Sequence, residues 1–389
     1  MAAAKAVARV AAILAGYDHE EAGSNQHQPT GASTLHKLAN NQTCTTRVRY
    51  SMAPHLILND THRQVGDALA DAFIAQAFAQ NPAAFYEALR ADDDSLSRMV
   101  QAQAPELFAQ TSQLPAWANR RRLVAAERLF AARAGEVMLL LGLYALPYCY
   151  AAATGAKVLA ATERLSKHGA FQRLSETGRF VWDVLSPEPE VAAEAILKVR
   201  LIHALVRHHL EAQQWPSQTL GLPANAEDMA GTLLAFGYLT LKGMRKLGIP
   251  FSPTEADAWL HAWNTIGYRL GVPFELLPQT QAHAFALEQA IARRQFAPSA
   301  EGQQLAQNLV DTFGQSQAPA WIKDNAAGWM TQLLGPEVAL LLGLPANAAK
   351  AGFGALRTFN QWRALVPLPI DWLGTGRMRR ESRKYKLSA

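Results

Sequence analysis

The sequence contains few cysteines and few charged residues. Only Cys44 and Cys149 occur among 389 residues, too few and too far apart for a disulfide framework or a CxxC metal site. Charged residues make up 18% of the chain and hydrophobic residues 49%. This composition excludes a mainly disordered chain and predicts a protein with a large buried core.

Several common catalytic motifs are also missing. The sequence has no HExxH zinc motif, no GxSxG nucleophile motif, no P-loop and no GxGxxG dinucleotide motif. The ExxH pairs of carboxylate-bridged di-iron bundles are absent as well. The common helical-bundle metal enzyme is therefore disfavoured.

The net charge of +5 belongs to one short segment. Between Arg377 and Lys386 there are six cations and one anion, Glu381, so the rest of the chain is neutral. A neutral body with a short basic end is not typical of a nucleic-acid-binding face, and we predict no nucleic-acid partner. We interpret residues 377–389 as a solvated basic tail, with docking on an anionic membrane as the alternative.

The longest uncharged run extends from Val137 to Ala156, nearly the ~20 residues that span a bilayer. Pro147 lies within it, so we predict a buried core helix that ends in a turn, and not a membrane span. The N-terminus carries no evident signal peptide. The sequence therefore predicts a cytoplasmic protein.

The chain is predicted to be an all-α protein, a single large helical bundle. Good helix formers dominate, and alternating β-branched runs with Asn-Gly or Asp-Gly turns are missing. Prolines, glycines and capping residues mark the boundaries. Helices are predicted at about 60–80, from 82 onward, 120–134, 136–144, 156–166, 171–185, 189–211, 226–247, 254–270, 278–294, 305–313, 326–334 and 338–342.

The segment KVRLIHALVRHHL contains the first candidate site. Arg200, His203 and Arg207 share one helical face in a helix that is apolar on nearly all sides. Buried arginines need anionic partners. Either internal carboxylates such as Glu194 or Asp183 pair with them and His203 is a core histidine, or His203 is an axial ligand of a haem iron with the arginines nearby.

Three further polar residues lie on predicted helices. Arg173 and Thr177 are four residues apart and share a face, which can place a cation and a hydroxyl over one spot. Thr232 is a small polar group in an apolar helix. Each of these also fits an ordinary helix residue, with the threonine hydroxyls bonded back to their own helix.

Four segments, in this order, resemble the latex-clearing protein family, the b-type haem rubber oxygenases, and the wider oxygenase family that includes the fungal enzyme cleaving a prenyl chain in mycophenolic acid synthesis. The segments are RLSETGRFV at 173–181, VRLIHALVRHHL at 199–210, DMAGTLLAFGYLTLKGMRKLGI at 228–249 and EADAWLHAWNTIGYRLGVPFELLP at 255–278. The resemblance covers roughly residues 60–300 and is best over 170–280.

The resemblance implies a globin-like helical core that holds haem b. His203 would be the proximal iron ligand, and Arg173 and Thr177 would lie in the haem pocket. Arg200, Arg207 and Thr232 would be supporting positions around the cofactor. The implied domains are an N-terminal helix and polar segment at 1–56, a haem-binding core at 57–300, a helical extension packed on the core at 301–376 and the basic tail at 377–389.

Two positions depart from the family pattern. Characterised members carry a lysine immediately before the threonine and a glutamate one helix earlier, thought to act as a base. In this sequence Glu176 stands at the lysine position and Lys157 at the glutamate position, so the two charges are exchanged. A Lys157 and Glu176 pair near the haem would have reversed roles, and a shift of a few residues would make Glu163 the candidate instead.

The expected function is a haem b oxygenase that uses O2 to cleave C=C bonds of polyisoprene or a related isoprenoid chain, giving aldehyde and ketone ends. Two alternatives stay open: a haem peroxidase or hydroxylase acting on another apolar substrate, and a cofactor-free helical binding module with a membrane-docking basic tail. The sequence leaves the oligomeric state open, and the expected cytoplasmic location contrasts with rubber oxygenases, which are commonly secreted.

Overall fold

A computed structural model describes residues 58–91, 93–165, 170–186, 189–315 and 320–345, with residues 353, 354, 357, 358 and 360. The predicted N-terminal helix and polar segment, Cys44 and the basic tail lie outside these residues. Every regular element of the described chain is helical, and its β-structure is limited to one isolated bridge between Ala152 and Phe296. The predicted all-α fold is therefore confirmed.

The first half of the described chain forms eight longer helices. They are α1 Ala68–Gln80, α2 Pro82–Arg90, α3 Ser95–Gln103, α4 Pro105–Ser112, α5 Arg120–Tyr150, α6 Ala153–Leu165, α7 Ala170–Val184 and α8 Pro189–Ala212. A 3-10 turn, Asp60–Gln64, precedes α1, and a one-turn helix, Ser217–Leu220, follows α8. Helices α3, α4 and the one-turn helix were not predicted from the sequence.

The second half completes the bundle. Its helices are α9 Ala226–Leu234, α10 Thr240–Lys246, α11 Pro253–Arg269, α12 Gln281–Gln295, α13 Ala300–Gln315, α14 Ala326–Leu334 and α15 Pro336–Leu341. A π-turn, Ala235–Leu239, joins α9 to α10, a 3-10 turn, Phe274–Leu276, precedes α12, and a one-turn helix, Ala320–Lys323, precedes α14. The ends carry the expected signals, such as the capping box of Ser252 and Glu255 at the start of α11.

The predicted helix over 60–80 is broken in the structure, so that prediction was wrong in its first turns. Val65 is extended, and its carbonyl accepts a hydrogen bond from the Ala226 N–H at 2.8 Å. Asp67 then caps α1 by accepting from the Ala70 N–H. The break ties the start of the described chain to the loop that precedes α9.

Pro147 does not end a helix, contrary to the prediction. Helix α5 continues to Tyr150 through a π-turn, Leu141–Ala145, and its one kink is at Arg133. A π-turn shifts the hydrogen-bond register, so the missing N–H of a proline costs less there. In the described part of the chain, α5 alone is long and apolar enough to cross a membrane, and 72% of its most apolar stretch is buried, consistent with the predicted core helix.

Two hydrophobic clusters hold the described helices together. The larger one includes the buried indoles of Trp259 and Trp263 on α11 and extends to Phe313 on α13 and Met330 on α14. The smaller one packs the four helices α1, α2, α3 and α4 against one face of α8. Helices beyond residue 300 therefore pack into the same core as α5 to α12, while the predicted domain division stays a prediction.

The contact between α11 and α9 depends on the small size of Gly267. A Cβ atom at this position would lie 2.3 Å from Leu233 Cδ2 and 3.1 Å from Leu277 Cδ2. The crowding costs about 1–3 kcal/mol, whereas alanine gains about 0.5–1 kcal/mol over glycine inside a helix. Gly267→Ala is therefore expected to lower the free energy of unfolding by up to about 2 kcal/mol, measured by denaturant unfolding. The control is Gly314→Ala near the end of α13, where an added Cβ would meet no described atom within 4 Å outside its own helix, and an increase of at most about 0.5–1 kcal/mol is expected. Equal effects of the two changes would contradict this account of the contact.

Candidate active site

A cavity of about 410 Å3 lies among α6, α8, α9 and α12 and the end of α5. Its wall is largely apolar, with side chains such as Val158, Ile202, Val206, Met229 and Ile291. None of the described lysines or arginines lines it. Such a cavity suits an apolar ligand that meets a few polar groups.

His203 lines this cavity from α8. Burial, with a smaller contribution from the positive charge of Arg207, lowers the pKa of the imidazole to about 4. Nδ1 is sealed from solvent and has no hydrogen-bond partner in the structure. The imidazole is therefore neutral at physiological pH, which is the form that binds a metal ion.

Arg200 lies one turn before His203, and its side chain is 2% exposed. Its guanidinium forms a two-point ion pair with Asp67, at 2.5 Å from Nε to Oδ2 and 2.9 Å from Nη2 to Oδ1. It also donates to Gln110, Thr111 and the carbonyl of Arg269. Arg200 does not line the cavity, so it anchors the helix that carries His203.

Arg207 lies one turn after His203. Its Nε donates to Asp71 at 2.8 Å and its Nη1 donates to the carbonyl of Ala224 at 2.9 Å. Burial raises the pKa of Asp71, an effect that Arg207 opposes. The buried arginines do pair with carboxylates, but the suggested partners Glu194 and Asp183 were wrong, because the carboxylates come from α1.

The structure brings some of the other predicted site residues to the cavity and leaves others away from it. Glu176 on α7 and Thr232 on α9 line the cavity, and the Thr232 hydroxyl donates back to the Asp228 carbonyl at 2.9 Å. Thr177 is half-buried beside Glu176.

Lys157 on α6 is exposed and does not line the cavity, although the next residue, Val158, does. Arg173 lies in the first turn of α7, and its side chain and that of Glu163 are outside the described part.

Asp228 is a cavity residue that the sequence reasoning missed. It lies in the first turn of α9, where Asn225 caps the helix and donates to Asp228 Oδ2 at 3.0 Å. Burial raises the pKa of this carboxyl to about 7, with Arg63 opposing the shift. In the sequence, Asp228 stands beside Glu227 at the start of an otherwise apolar helix. Acidic residues are common in the first turn of a helix whether they are buried or exposed, so the sequence did not indicate that Asp228 lines a cavity.

A second missed group is a buried pair of Tyr148 and Glu288, both of which line the cavity. The Tyr148 hydroxyl donates to Glu288 Oε1, and Lys242 Nζ lies 3.3 Å from the same oxygen. Burial and the nearby carboxylate raise the pKa of Tyr148. The residues come from α5, α10 and α12, which no local sequence pattern connects.

The residues that line the cavity fit haem b. A neutral imidazole stands on the wall of a largely apolar cavity, and its sealed Nδ1 has no protein partner. His203 would hold the iron from α8, and the apolar wall would surround the macrocycle. Elsewhere in the described chain, no group of three or more His, Cys, Asp or Glu side chains could hold a metal ion.

The fold and the site define an all-helical domain with a histidine on the wall of a largely apolar cavity. The chain belongs to the family described as ER-bound oxygenase mpaB/B'/Rubber oxygenase, catalytic domain, whose model matches residues 131–367. This match covers more than half of the chain and confirms the resemblance inferred from the four segments.

A curated sequence and a solved structure are similar to this chain. The rubber oxygenase of Streptomyces sp. (strain K30) is 26% identical over 219 residues, which are 52% of this chain and 53% of that protein. The alignment therefore spans about half the length of this curated relative. A solved structure of the latex clearing protein LCP in the closed state superposes with a TM-score of 0.63 at 22% identity, over 79% of this chain and 86% of that one. This superposition supports the all-helical fold.

Asp228 is expected to make the stability of the protein depend on pH. Its pKa is raised from 3.8 to about 7 by folding, so the folded state favours the protonated form, and stability is lost as pH rises from about 4 to about 7. Asp228→Asn is expected to remove this loss of stability. Relative to the unchanged protein, the variant should gain at most about 4 kcal/mol in the free energy of unfolding above pH 7. Thermal unfolding midpoints of both proteins between pH 4 and pH 8 measure it.

The opposite pH dependence of His203 is common to both proteins and cancels in the comparison. The control is Asp60→Asn, which removes a 95% exposed carboxylate that pairs with Arg294 at the surface. A smaller effect on stability is expected there, because exposed ion pairs contribute only about 0–1 kcal/mol. A constant difference between Asp228→Asn and the unchanged protein across this pH range would contradict a buried, protonated Asp228.

Proposed function

We propose that the protein is a haem b oxygenase that cleaves C=C bonds of polyisoprene or a related isoprenoid chain with O2, giving aldehyde and ketone ends. The observation that carries the proposal is the neutral imidazole of His203 on the wall of a largely apolar cavity. Family membership and the name of the Streptomyces relative support the same reaction class.

The residues of the chain would divide the work as follows. Bound haem b would supply the redox chemistry with O2. His203 would hold the cofactor, with Arg200 and Arg207 fixing its helix from behind. The apolar wall would exclude water and bind a hydrocarbon, since burying apolar surface stabilises by about 25 cal/mol per Å2.

Glu176 is the proposed proton-accepting group of the reaction. It lines the cavity from α7, beside Thr177 and on the same helix as Arg173. The predicted partner Lys157 stays a proposal. Both side chains are exposed, but only Glu176 lines the cavity, so Glu176 is the residue of the pair that would meet the substrate. A positioned carboxylate of this kind typically contributes about 10²- to 10⁴-fold to the rate.

Cofactor binding is tested by the absorption spectrum. The purified protein supplied with haem is expected to show a Soret band, and His203→Ala is expected to lose it because the iron ligand is removed. The matched control is His208→Ala on the same helix, since His208 packs against Phe78 and does not line the cavity. A well-folded protein that stays colourless when haem is supplied would overturn the proposal and favour the binding module.

The reaction is tested by product analysis after incubation with polyisoprene and O2. Chain fragments with aldehyde and ketone ends are expected, and Glu176→Gln should lower kcat by about 10²-fold or more. Glu211→Gln, an exposed glutamate at the end of α8, serves as the control. Haem binding without such fragments would favour a peroxidase or hydroxylase, and an unchanged kcat would remove Glu176 from the mechanism.

A further inference from the structure

A second, much smaller pocket lies behind His203. Its volume is about 10 Å3, and its wall includes His203, Arg207, Asp67, Gly66 and Gly271. His203 Nδ1 and Arg207 Nη2 are both buried without a hydrogen-bond partner. Two sealed polar atoms thus belong to side chains that meet at one pocket, which is unusual because buried polar groups are nearly always satisfied.

The carboxylate of Asp67 forms the third polar wall of this pocket. Its Oδ1 accepts from the Ala70 N–H at 3.3 Å and from Arg200 Nη2 at 2.9 Å, whereas Arg200 Nε is the one donor to its Oδ2 among the described residues. A carboxylate oxygen has two acceptor positions, so Oδ2 can take a further hydrogen bond. The two-point ion pair with Arg200 holds this oxygen in a fixed direction.

Glycine at position 271 permits this arrangement. A Cβ atom there would lie 2.4 Å from Asp67 Oδ2, and the residue has a φ of +86°. A Cβ atom at Gly66 would lie 2.6 Å from Asp71 Oδ2 and 3.1 Å from Arg207 Nε. The backbone therefore closes tightly around both carboxylates and leaves a pocket that only a very small molecule can enter.

A single water molecule matches the pocket in size and in chemistry. A bound water needs roughly 10–15 Å3 of accessible volume and two to four polar partners. Here it would accept from His203 Nδ1–H and Arg207 Nη2–H and donate to Asp67 Oδ2. These bonds would satisfy both sealed atoms at once.

We propose that Asp67 is a positioning residue that fixes the tautomer and the ring orientation of His203 through one water bound in this pocket. The proton of the neutral imidazole is then held on Nδ1, and Nε2 keeps its lone pair toward the large cavity. Groups of this kind, behind a ligand histidine, orient the ring and raise its basicity. The inference rests on the proposed function only for the identity of the bound iron group.

The first test needs no cofactor. The ¹⁵N shifts of the His203 ring in the full-length, haem-free protein distinguish a protonated from an unprotonated nitrogen. The Nδ1–H tautomer is expected to dominate, and Asp67→Asn should give a mixture of both tautomers. Asp71→Asn is the matched control, because Asp71 lies one turn further along α1, pairs with Arg207 and does not line the pocket.

The second test uses the haem-loaded protein. The iron–histidine stretching frequency in the ferrous form, measured by resonance Raman spectroscopy, reports how strongly the far side of the ring is hydrogen bonded. It should fall in Asp67→Asn and change less in Asp71→Asn. A dominant Nε2–H tautomer in the unchanged protein, or equal effects of the two variants on both measurements, would overturn the proposal.

Asp67 also caps α1 and pairs with buried Arg200, so its replacement can prevent folding. Ala226→Val provides a second variant, since Ala226 lines the pocket and carries no polar side chain. The added methyl groups would fill the space for water while every charge stays in place. The same tautomer mixture and the same lower frequency are expected, and a ring unchanged from that of the original protein would overturn the role of the water. A missing Soret band in the unchanged protein would instead count against the haem assignment, and the tautomer measurement on the haem-free protein would still test the role of Asp67.

Discussion

The structure of the site depends on two arginines buried on an apolar helix. Arg200 and Arg207 flank His203, and neither charge can remain buried without a carboxylate beside it. Asp67 and Asp71 supply these carboxylates from the first turn of α1. Breaking a buried pair by removing one partner typically costs about 3–5 kcal/mol, so α1 is held against α8 in one register, and the position of His203 follows from that register.

This pairing also divides the surroundings of α8 into two chemically different sides. On one side, the arginines meet α1, α4 and the loop at Ala224 through ion pairs and hydrogen bonds. On the other side, Ile202 and Val206 face the large cavity. His203 lies between the two, and its side chain lines both the large cavity and the small polar pocket. An oxygenase needs this separation, because water beside the reacting group would divert the chemistry.

Much of the fold could be predicted from the sequence because its signals are local. Caps, prolines and helix formers predicted most helices, and the apolar surroundings of Arg200 and Arg207 predicted that both need anions. The identity of those anions could not be predicted, because Asp67 lies 133 positions from Arg200 and reads as an ordinary helix cap. The same holds for Glu288, whose contact with Tyr148 spans 140 positions. The prediction that the helix ends at Pro147 was wrong, because no local sequence pattern indicates the π-helical turn that precedes this proline.

The charge of Arg207 has two consequences that work together at His203. Burial is the larger cause of the lowered imidazole pKa, and the guanidinium lowers it further, whereas Asp67 acts in the opposite sense. A carboxylate in the place of Arg207 would stabilise the protonated ring, which cannot bind iron. The cation that anchors the helix therefore also keeps the histidine neutral, and the pairing of Arg207 with Asp71 lets this charge remain buried. The packing of α8 and part of the pKa shift of His203 thus follow from the same ion pairs.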